Sequence, residues 1–358
     1  MLNQRLQRAR KAAGLSLRDL GETVGLSHAA IKKYEDGAAL PTSEVLIKLA
    51  RALNVRSEYF FRPENIVLEG VEYRKRSSLP QKRLDAITHE ILDQIERRLE
   101  LESLFPSPPV KEFSAPDGLL PKVDHIDRIE DLANQLRDAW ELGLDPIPDL
   151  IDLLETQGIR VFMINAEGDN KFDGLAAHVG NMPIVVVGRN WPGDRQRFTL
   201  AHELGHLLLE GRLAEDLNEE KACDRFAGAF LFPKQSVIQE LGVHRNAIEI
   251  KELSLLKEEF GLSMAGILYR ALDLGIISKT YRDNQNKFFS IKGWNRKEPG
   301  LMYPSEKAHV FEQLTFHALA EEYIGESKAA ELLNLSLNQF RKLRSMESEV
   351  AMDAVTYQ

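Results

Sequence analysis

The feature that most constrains this chain is a pair of histidines, four positions apart, inside an apolar segment with helical character. The segment reads FTLAHELGHLLLE, from Phe198 to Glu210, and its two histidines are His202 and His206. Residues four positions apart lie on one face of a helix, so both imidazoles can reach a single metal ion. Glu203 follows the first histidine and lies beside the water that such an ion activates. The pattern therefore predicts a buried helix that carries a zinc site and its general base.

A catalytic zinc ion also needs a third protein ligand and an open fourth position. The nearest supply is the acidic segment 215–224, which runs into a second predicted helix. Glu220 and Asp224 are four apart there, so Glu220 can bind the metal while Asp224 accepts the outer ring N–H of a ligand histidine. Glu219 is the rival ligand, although its position, like that of 215–216, is more typical of a solvated charged face.

Cysteine content and hydropathy narrow the class of protein. The single cysteine, Cys223, excludes a disulfide framework and a cysteine-rich zinc site, so a bound metal must use histidine and carboxylate. Cys223 itself is more typical of a small core residue than of a nucleophile. The longest apolar runs fall far short of the roughly 20 residues of a membrane helix, and the N-terminus has no signal-peptide core. We therefore expect a cytoplasmic protein with no membrane partner.

The first 65 residues have the helical spacing and the stops of a compact five-helix domain. Gly14 and Gly25 end short apolar stripes, and Ser16 and Ser27 precede the next ones as helix caps. Residues 1–65 hold 11 lysines and arginines against 7 acidic residues, whereas the whole chain has a net charge of −9. An excess of positive charge in residues 1–65, next to an acidic remainder of the chain, is consistent with DNA binding by the N-terminal domain.

The rest of the chain divides into three predicted segments. A charged helix followed by five prolines within 106–121 marks a connecting segment over 66–121. Residues 122–285 combine helices with three short β-branched runs, which predict a small sheet. The C-terminal region, 286–358, is predicted to be helical. Within it, residues 326–343 have the residue spacing of another helix-turn-helix, although a packing or dimerisation element is the simpler interpretation. The predicted fold class is α+β and mostly helical.

Six segments that follow one another between residues 126 and 278 resemble the ImmA/IrrE metallopeptidases. They read DPIPDLIDLLETQGIRVF, KFDGLA, PIVVV, GDRQRFTLAHELGHLLL, EKACDRFAGAFLFP and LSMAGILYRALDLGIIS. The resemblance implies that His202, His206 and Glu220 bind one zinc ion and that Glu203 is the general base. It also implies a gluzincin-like fold, with helices around a small antiparallel sheet. Ligands of this type also accept manganese or another divalent ion.

The same residues indicate a mechanism for peptide hydrolysis. Glu203 would take a proton from the attacking water and pass it to the leaving amine, while zinc polarises the scissile carbonyl. A further group should stabilise the oxyanion. His178, Tyr269 and Arg270 are the candidates for that role, and spacing selects none of them.

The segment GLSLRDLGETVGLSHAAIKKYEDG, residues 14–37, resembles the Xre, or phage-repressor, type of helix-turn-helix. The resemblance implies that the second helix of the motif enters the major groove of operator DNA. Leu17 stands where this class often has a glutamine, so that DNA contact is either lost or supplied by Arg18. The predicted DNA-binding residues are Arg18, Ser27, His28, Ala29, Lys32 and Lys33. Because one such module buries little surface, we expect a homodimer on paired half-sites.

Two hypotheses for function follow. In the first, the chain is a DNA-binding transcriptional regulator whose zinc endopeptidase domain cleaves a repressor-like or antitoxin-like partner, in a toxin–antitoxin system or stress response. In the second, it is a non-proteolytic transcription factor or antitoxin whose zinc domain senses a signal or binds a partner. The fusion of the peptidase-like domain to a DNA-binding head fits both hypotheses.

Overall fold

The computed structural model describes residues 2–62, 81–165 and 172–346. These residues form sixteen α-helices, one 3₁₀ helix and a three-stranded sheet, so the predicted α+β, mostly helical class is confirmed. They divide into two compact units. In the described part of the chain, the first unit comprises 2–62, 81–110 and 309–346, and the second comprises 111–165 and 172–308. No helix within these ranges is long and apolar enough to cross a membrane.

The regular secondary structure of the first unit is entirely helical within its described residues. Its helices are α1 (Leu2–Ala12), α2 (Leu17–Val24), α3 (His28–Glu35), α4 (Ser43–Ala52), a 3₁₀ helix (Ser57–Phe61), α5 (Gln81–Glu102), α14 (Val310–Ala320), α15 (Glu326–Leu332) and α16 (Leu337–Arg344). The predicted caps are present, because the Ser16 and Ser27 hydroxyls each accept a backbone N–H from the first turn of the helix that follows. Leu20 and Ile31 are fully buried, as expected for the residues that lock α2 against α3.

The first unit also contains α5 and the three C-terminal helices, which the sequence analysis assigned to separate segments. Glu96 of α5 forms buried ion pairs with Arg5 at 2.8 Å and with Arg8 at 3.0 Å. Arg97 of α5 donates to the carbonyl of Leu332 at 2.7 Å, which fixes the end of α15. Helices distant in sequence are thus joined by buried arginines. The exact boundaries predicted from the sequence remain predictions.

The second unit contains the sheet and eight helices in its described residues. They are α6 (Arg128–Ala139), α7 (Leu150–Thr156), β1 (Arg160–Ile164), β2 (Gly174–Val179), β3 (Met182–Gly188), α8 (Gly193–Leu209), α9 (Glu219–Leu231), α10 (Lys234–Leu241), α11 (Ile250–Phe260), α12 (Met264–Asp273) and α13 (Lys279–Lys292). One core contains buried apolar residues of α6 to α13 together with one face of β1 and β3, namely Val161, Met163, Val185 and Val187. Most residues of α8 are buried, so this helix runs through the centre of the unit.

The sheet has the order β1-β3-β2 and is mixed. The antiparallel sheet expected from the sequence is correct for β2 and β3, which form a hairpin through Gly180 with φ of 56°. It is wrong for β1 and β3, which pair in parallel with Val161 opposite Val185. A tight turn forces neighbouring strands to be antiparallel, whereas β1 is separated from β3 by a whole strand and is free of that constraint.

A segment after α13 holds the N-terminal half of α8. Glu306 is buried, pairs with the fully buried Arg197 of α8 at 2.5 Å, and accepts the backbone N–H of Leu150 at 3.0 Å. A Cβ on Gly193 would lie only 1.9 Å from the Pro304 carbonyl oxygen, so the segment lies directly against the start of α8. This fixes the helix that carries the two histidines.

Candidate metal centre and DNA interface

Helix α8 places the two predicted histidine ligands one turn apart on one face. The Nε2 atoms of His202 and His206 lie 3.2 Å from each other, and both side chains are largely buried. Ligand atoms about 2.05 Å from a tetrahedral zinc ion are separated by roughly 3.3 Å. The spacing of the two nitrogens therefore fits two ligands of one zinc ion.

Glu220, in the first turn of α9, supplies a third donor. Its carboxylate oxygens lie 3.7 Å from Nε2 of His202 and 3.8 Å from Nε2 of His206. The three groups form a triangle whose sides are close to the edges of a tetrahedral site. Close packing of α8 on α9 makes this possible, since a Cβ on Gly205 would lie 3.3 Å from Cα of Cys223 and 3.2 Å from the Phe226 ring.

The other nitrogen of each imidazole contacts a carboxylate from α9. Nδ1 of His202 lies 2.8 Å from Asp224, the predicted orienting carboxylate, and Nδ1 of His206 lies 2.8 Å from Glu219. Such contacts orient a ligand histidine and set its tautomer. The expectation that Glu219 belongs to a solvated face is therefore incomplete. The only sequence signal for its role is its place beside Glu220 in the same turn.

Cys223 is the alternative third donor. Its sulfur and the nitrogens of His202 and His206 all lie within 4.8 Å of one another, and the residue is fully buried. A thiolate is a good zinc ligand. Glu220 is nevertheless the better candidate, because its half-exposed carboxylate faces the Nε2 atoms of both histidines. Cys223 also packs against Gly205, which is the position of a small core residue.

Glu203 lies beside strand β2. It is 3% exposed, and a Cβ on Gly174 of β2 would come within 3.5 Å of its Cγ and within 2.5 Å of Thr199. Strand β2 is at the edge of the sheet within the described ranges. The general-base candidate therefore packs on a face of an edge strand, and the free edge of such a strand can hydrogen-bond an extended peptide.

The structure separates the three candidates for oxyanion stabilisation. Arg270 is 1% exposed and donates to Glu130 at 2.5 and 2.6 Å, which is a structural role. Tyr269 is half-exposed and accepts from Arg282 at 3.1 Å. His178 lies on β2, the same strand as Gly174. His178 is thus the candidate on an element that borders Glu203.

The predicted DNA-binding side chains lie on the exposed faces of α2 and α3. His28, Ala29 and Lys33 are exposed at the start and middle of α3. Lys32 pairs with Asp36 at 2.7 Å, and Arg18 pairs with Glu22 at 2.9 Å. Both pairs are exposed, so they cost little to exchange for a phosphate. Ser27 accepts the N–H of Ala30 at 3.2 Å and caps α3.

Two family models match separate parts of the chain, which carries a helix-turn-helix segment and an IrrE-like segment. The family model described as the IrrE N-terminal-like domain, Peptidase M78, matches residues 154–272, which include the whole candidate metal centre. The helix-turn-helix family model matches residues 6–60, which include α2 and α3. The suspected two-domain architecture is confirmed.

Two curated relatives share short stretches with the chain. It is 39% identical over 54 residues, 15% of its length and 48% of the relative, to the cryptic phage CTXphi transcriptional repressor RstR of Vibrio cholerae serotype O1. It is 40% identical over 53 residues, 15% of its length and 51% of the relative, to the vegetative-specific protein H7 of Dictyostelium discoideum. The chain thus spans about half the length of the curated relatives it matches.

Similarity to solved structures is remote. The structure of Bacillus thuringiensis PlcR in complex with the peptide PapR7 and DNA is 13% identical, with 100% of this chain and 99% of that chain covered and a TM-score of 0.17. ComR from Streptococcus suis is 13% identical, with coverage of 96% and 90% and a TM-score of 0.16. Both TM-scores are too low to indicate a shared fold.

Proposed function

We propose that this protein is a cytoplasmic, DNA-binding transcriptional regulator whose second unit is a zinc-dependent endopeptidase. Its substrate would be a partner regulator, a repressor-like or antitoxin-like protein. The observation that carries the peptidase proposal is the triangle formed by Nε2 of His202, Nε2 of His206 and the carboxylate of Glu220, with sides of 3.2, 3.7 and 3.8 Å. Three donors so arranged suit one tetrahedral ion with an open position.

Each side chain of the candidate site has a separate role in the proposed hydrolysis. A zinc ion held by His202, His206 and Glu220 would supply Lewis acidity that acidifies water and polarises a carbonyl. Glu203 accepts the proton of the attacking water and donates it to the leaving amine. The low exposure of Glu203 keeps bulk water away from this proton transfer. Asp224 and Glu219 hold the two imidazoles in the orientation that metal binding requires.

Strand β2 supplies a means to bind a peptide substrate. An extended segment of the partner would add to the edge of β2 and run antiparallel to it, past Gly174 and Glu203. Main-chain hydrogen bonds would then hold the scissile bond, so the substrate segment must be extended or unfold locally. A flexible region of a partner protein meets that requirement better than a helix does.

The decisive variant is Glu203→Gln, which removes the base and keeps the shape of the side chain. Wild-type protein and variant, both loaded with zinc, are incubated with proteins extracted from the source cells, and new N-termini are identified by mass spectrometry. We expect N-termini that need the wild-type protein, that fall about 100-fold or more with the variant, and that vanish with a chelator. Zinc content should be the same in both proteins. Identical sets of N-termini from the two proteins would exclude proteolysis by this site.

The second candidate function is a non-proteolytic transcription factor or antitoxin whose zinc domain senses a signal or binds a partner. The exposure of Glu220 and Asp224, at 45% and 58% of their side chains, favours a metal centre that an external protein or ligand can reach. In that case, Glu203→Gln would leave transcription from the regulated promoter unchanged, while His202→Ala would alter it by removing the metal.

A further inference from the structure

The first unit contains two helix-turn-helix segments with the same turn. Between α2 and α3, Gly25 has a φ of 74°, a leucine follows, and Ser27 caps the next helix. Between α15 and α16, Asn334 has a φ of 56°, a leucine follows, and Ser336 caps the next helix. Asparagine is the residue that most readily replaces glycine at positive φ. The two turns are therefore equivalent in backbone and in side-chain chemistry.

The hydrogen bond that closes each turn is also the same. The N–H of Leu26 donates to the carbonyl of Gly21 at 2.8 Å, and the N–H of Leu335 donates to the carbonyl of Ala330 at 2.8 Å. A Cβ on Gly21 would lie 2.7 Å from the Leu26 oxygen, so this place in α2 requires glycine. Alanine is the small residue at the matching place in α15.

Matching positions are buried in both segments. In α2 and α3, the residues that pack inward include Leu20 and Ile31, each 0% exposed. Their counterparts in α15 and α16, Ala329 and Phe340, are also 0% exposed. The second helix of each segment is thus held against the first by one large apolar side chain near its middle.

Helix α15 is fixed to the rest of the unit, whereas α16 exposes its outer face. Arg62 pairs with Glu331 of α15 at 2.9 Å, and Arg97 binds the last carbonyl of α15. On α16, the exposed residues at the start include Asn338, and those further along include Arg341 and Lys342. The helix contains no acidic residue. This face matches the face of α3 that carries Lys32 and Lys33.

The acidic neighbour of this face does not neutralise it. Arg341 and Arg344 both pair with one carboxylate, that of Glu326, at 3.0 and 2.6 Å. Two guanidinium groups share one negative charge, and the side chains are 62% and 53% exposed. Exposed ion pairs contribute little, so a phosphate can take the place of Glu326. Lys342 adds a further positive charge beside them.

We propose that α15 and α16 form a second DNA-binding element, which takes double-stranded DNA against the outer face of α16. Arg341 and Lys342 would contact phosphates, and Asn338 would face base edges, where asparagine pairs with adenine. The inference goes beyond the proposed function, which gives DNA binding to α2 and α3. It requires only that this unit meets DNA, and not that the second unit cleaves peptides.

The salt dependence of DNA binding tests this element. Full-length protein is titrated against a duplex of arbitrary sequence, and the dissociation constant is followed by fluorescence anisotropy as salt is varied. Each phosphate contact contributes about 0.9 to the slope of log K against log salt. Lys342→Ala should lower the slope by about 0.9 and weaken binding about eight-fold at 0.1 M salt. Lys342→Arg should restore both values.

Two control variants make the outcome specific. Lys251→Ala changes the charge equally on the exposed face of α11, in the second unit, and should leave the slope unchanged. Lys33→Ala tests α3 independently. If Lys33→Ala lowers the slope and Lys342→Ala does not, the second element is refuted and the proposed DNA-binding head stands. If Lys342→Ala lowers the slope and Lys33→Ala does not, the second element stands and the proposed role of α3 fails.

Self-association is the competing role for α16. Light scattering on the Lys342→Ala and Leu337→Ala variants measures it directly. A shift in oligomeric state with an unchanged salt slope would overturn the proposal in favour of an interface between copies of the chain. An unchanged oligomeric state together with the smaller slope supports DNA as the occupant. Thermal unfolding at the wild-type temperature excludes misfolding as the cause.

Discussion

Four carboxylates belong to the candidate metal centre with His202 and His206, and we expect each of them to have a different function. Glu220 faces both Nε2 atoms, Asp224 and Glu219 each contact one Nδ1 atom, and Glu203 is buried next to β2. The expected functions differ because the carboxylates lie on different sides of the imidazole rings. Groups on the Nε2 side can share a metal ion with the imidazoles, while groups on the Nδ1 side can only orient them.

Loss of an orienting carboxylate should weaken metal binding without abolishing it. We expect Glu219→Ala and Asp224→Ala each to raise the zinc dissociation constant about 10- to 100-fold, because the imidazole loses its fixed tautomer and orientation. Competition with a chromophoric chelator measures the constant. Glu215→Ala is the matched control, since Glu215 is an exposed acid in the loop before α9. Equal affinities for Glu219→Ala and Glu215→Ala would show that the Glu219 contact has no role in metal binding.

The sequence was sufficient to predict five candidate residues. His202, Glu203 and His206 follow from the spacing within α8, and Glu220 and Asp224 follow from the spacing within α9. The contact of Glu219 with His206 depends on how α9 packs on α8, which is a tertiary property. The proximity of the Cys223 sulfur to the histidines has the same origin. Spacing alone therefore could not decide which residue is the third metal ligand, since Glu219, Glu220 and Cys223 lie close together in α9.

At the scale of elements, a buried ionic cluster ties α6 to α9 and α12. Glu130 of α6 accepts from Arg270 of α12 at 2.5 and 2.6 Å and from Arg225 of α9 at 2.9 Å. Burial raises the pKa of Glu130, but the hydrogen bonds and charges of Arg270 and Arg225 outweigh it and hold this pKa below its usual value. The ionised carboxylate is therefore the form that stabilises the fold.

The stability contributed by Glu130 should depend on pH in a defined direction. A carboxyl whose pKa is lowered by folding contributes fully above its unfolded pKa of about 4.3 and loses that contribution as pH falls through the folded value. Glu130→Gln should lower the free energy of unfolding at pH 7 by about 3–5 kcal/mol, because it leaves buried guanidinium charge without its partner. Urea denaturation at several pH values measures this.

A second variant, Glu112→Gln, is the control for the urea denaturation series. Glu112→Gln removes an exposed carboxylate from the same unit and should change stability little at any pH. The deficit of Glu130→Gln relative to the wild-type protein should shrink below pH 4. A deficit that stays constant from pH 7 to strongly acidic conditions would mean that packing, and not charge, is responsible.

Elements were predictable where a local signal defines them. Glycine at positive φ and serine caps define the turns around α2 and α3, and both were found where the sequence placed them. The parallel pairing of β1 with β3 could not be predicted, because no turn joins the two strands. The association of α5 with α15 through Arg97 likewise joins residues 235 positions apart, with no local signal.

At the scale of the whole molecule, the predicted DNA-binding residues and the candidate metal centre belong to different compact units. The fold of the first unit draws its stability from its own buried core and from buried pairs such as Arg10 with Glu35 at 2.6 Å. Among the described residues, none of those that form this core or these pairs is a candidate metal ligand. Metal binding and DNA binding should therefore be separable in solution.

Removal of the metal should leave DNA binding almost intact. We expect a chelator to change the dissociation constant for duplex DNA less than about two-fold, whereas Lys33→Ala should weaken binding by about 1–3 kcal/mol. Fluorescence anisotropy on the full chain, with and without chelator, provides both values. If chelation weakened binding as much as Lys33→Ala does, metal occupancy would control the DNA-binding head.

X-ray absorption at the zinc edge of the loaded, full-length protein tests the central claim most directly. We predict one zinc ion per chain with a first shell of nitrogen and oxygen at about 2.0–2.1 Å, and loss of one oxygen ligand in Glu220→Ala. Cys223→Ala should leave the spectrum unchanged. A sulfur scatterer at about 2.3 Å that disappears in Cys223→Ala would contradict the account, because the thiolate and not Glu220 would then complete the site.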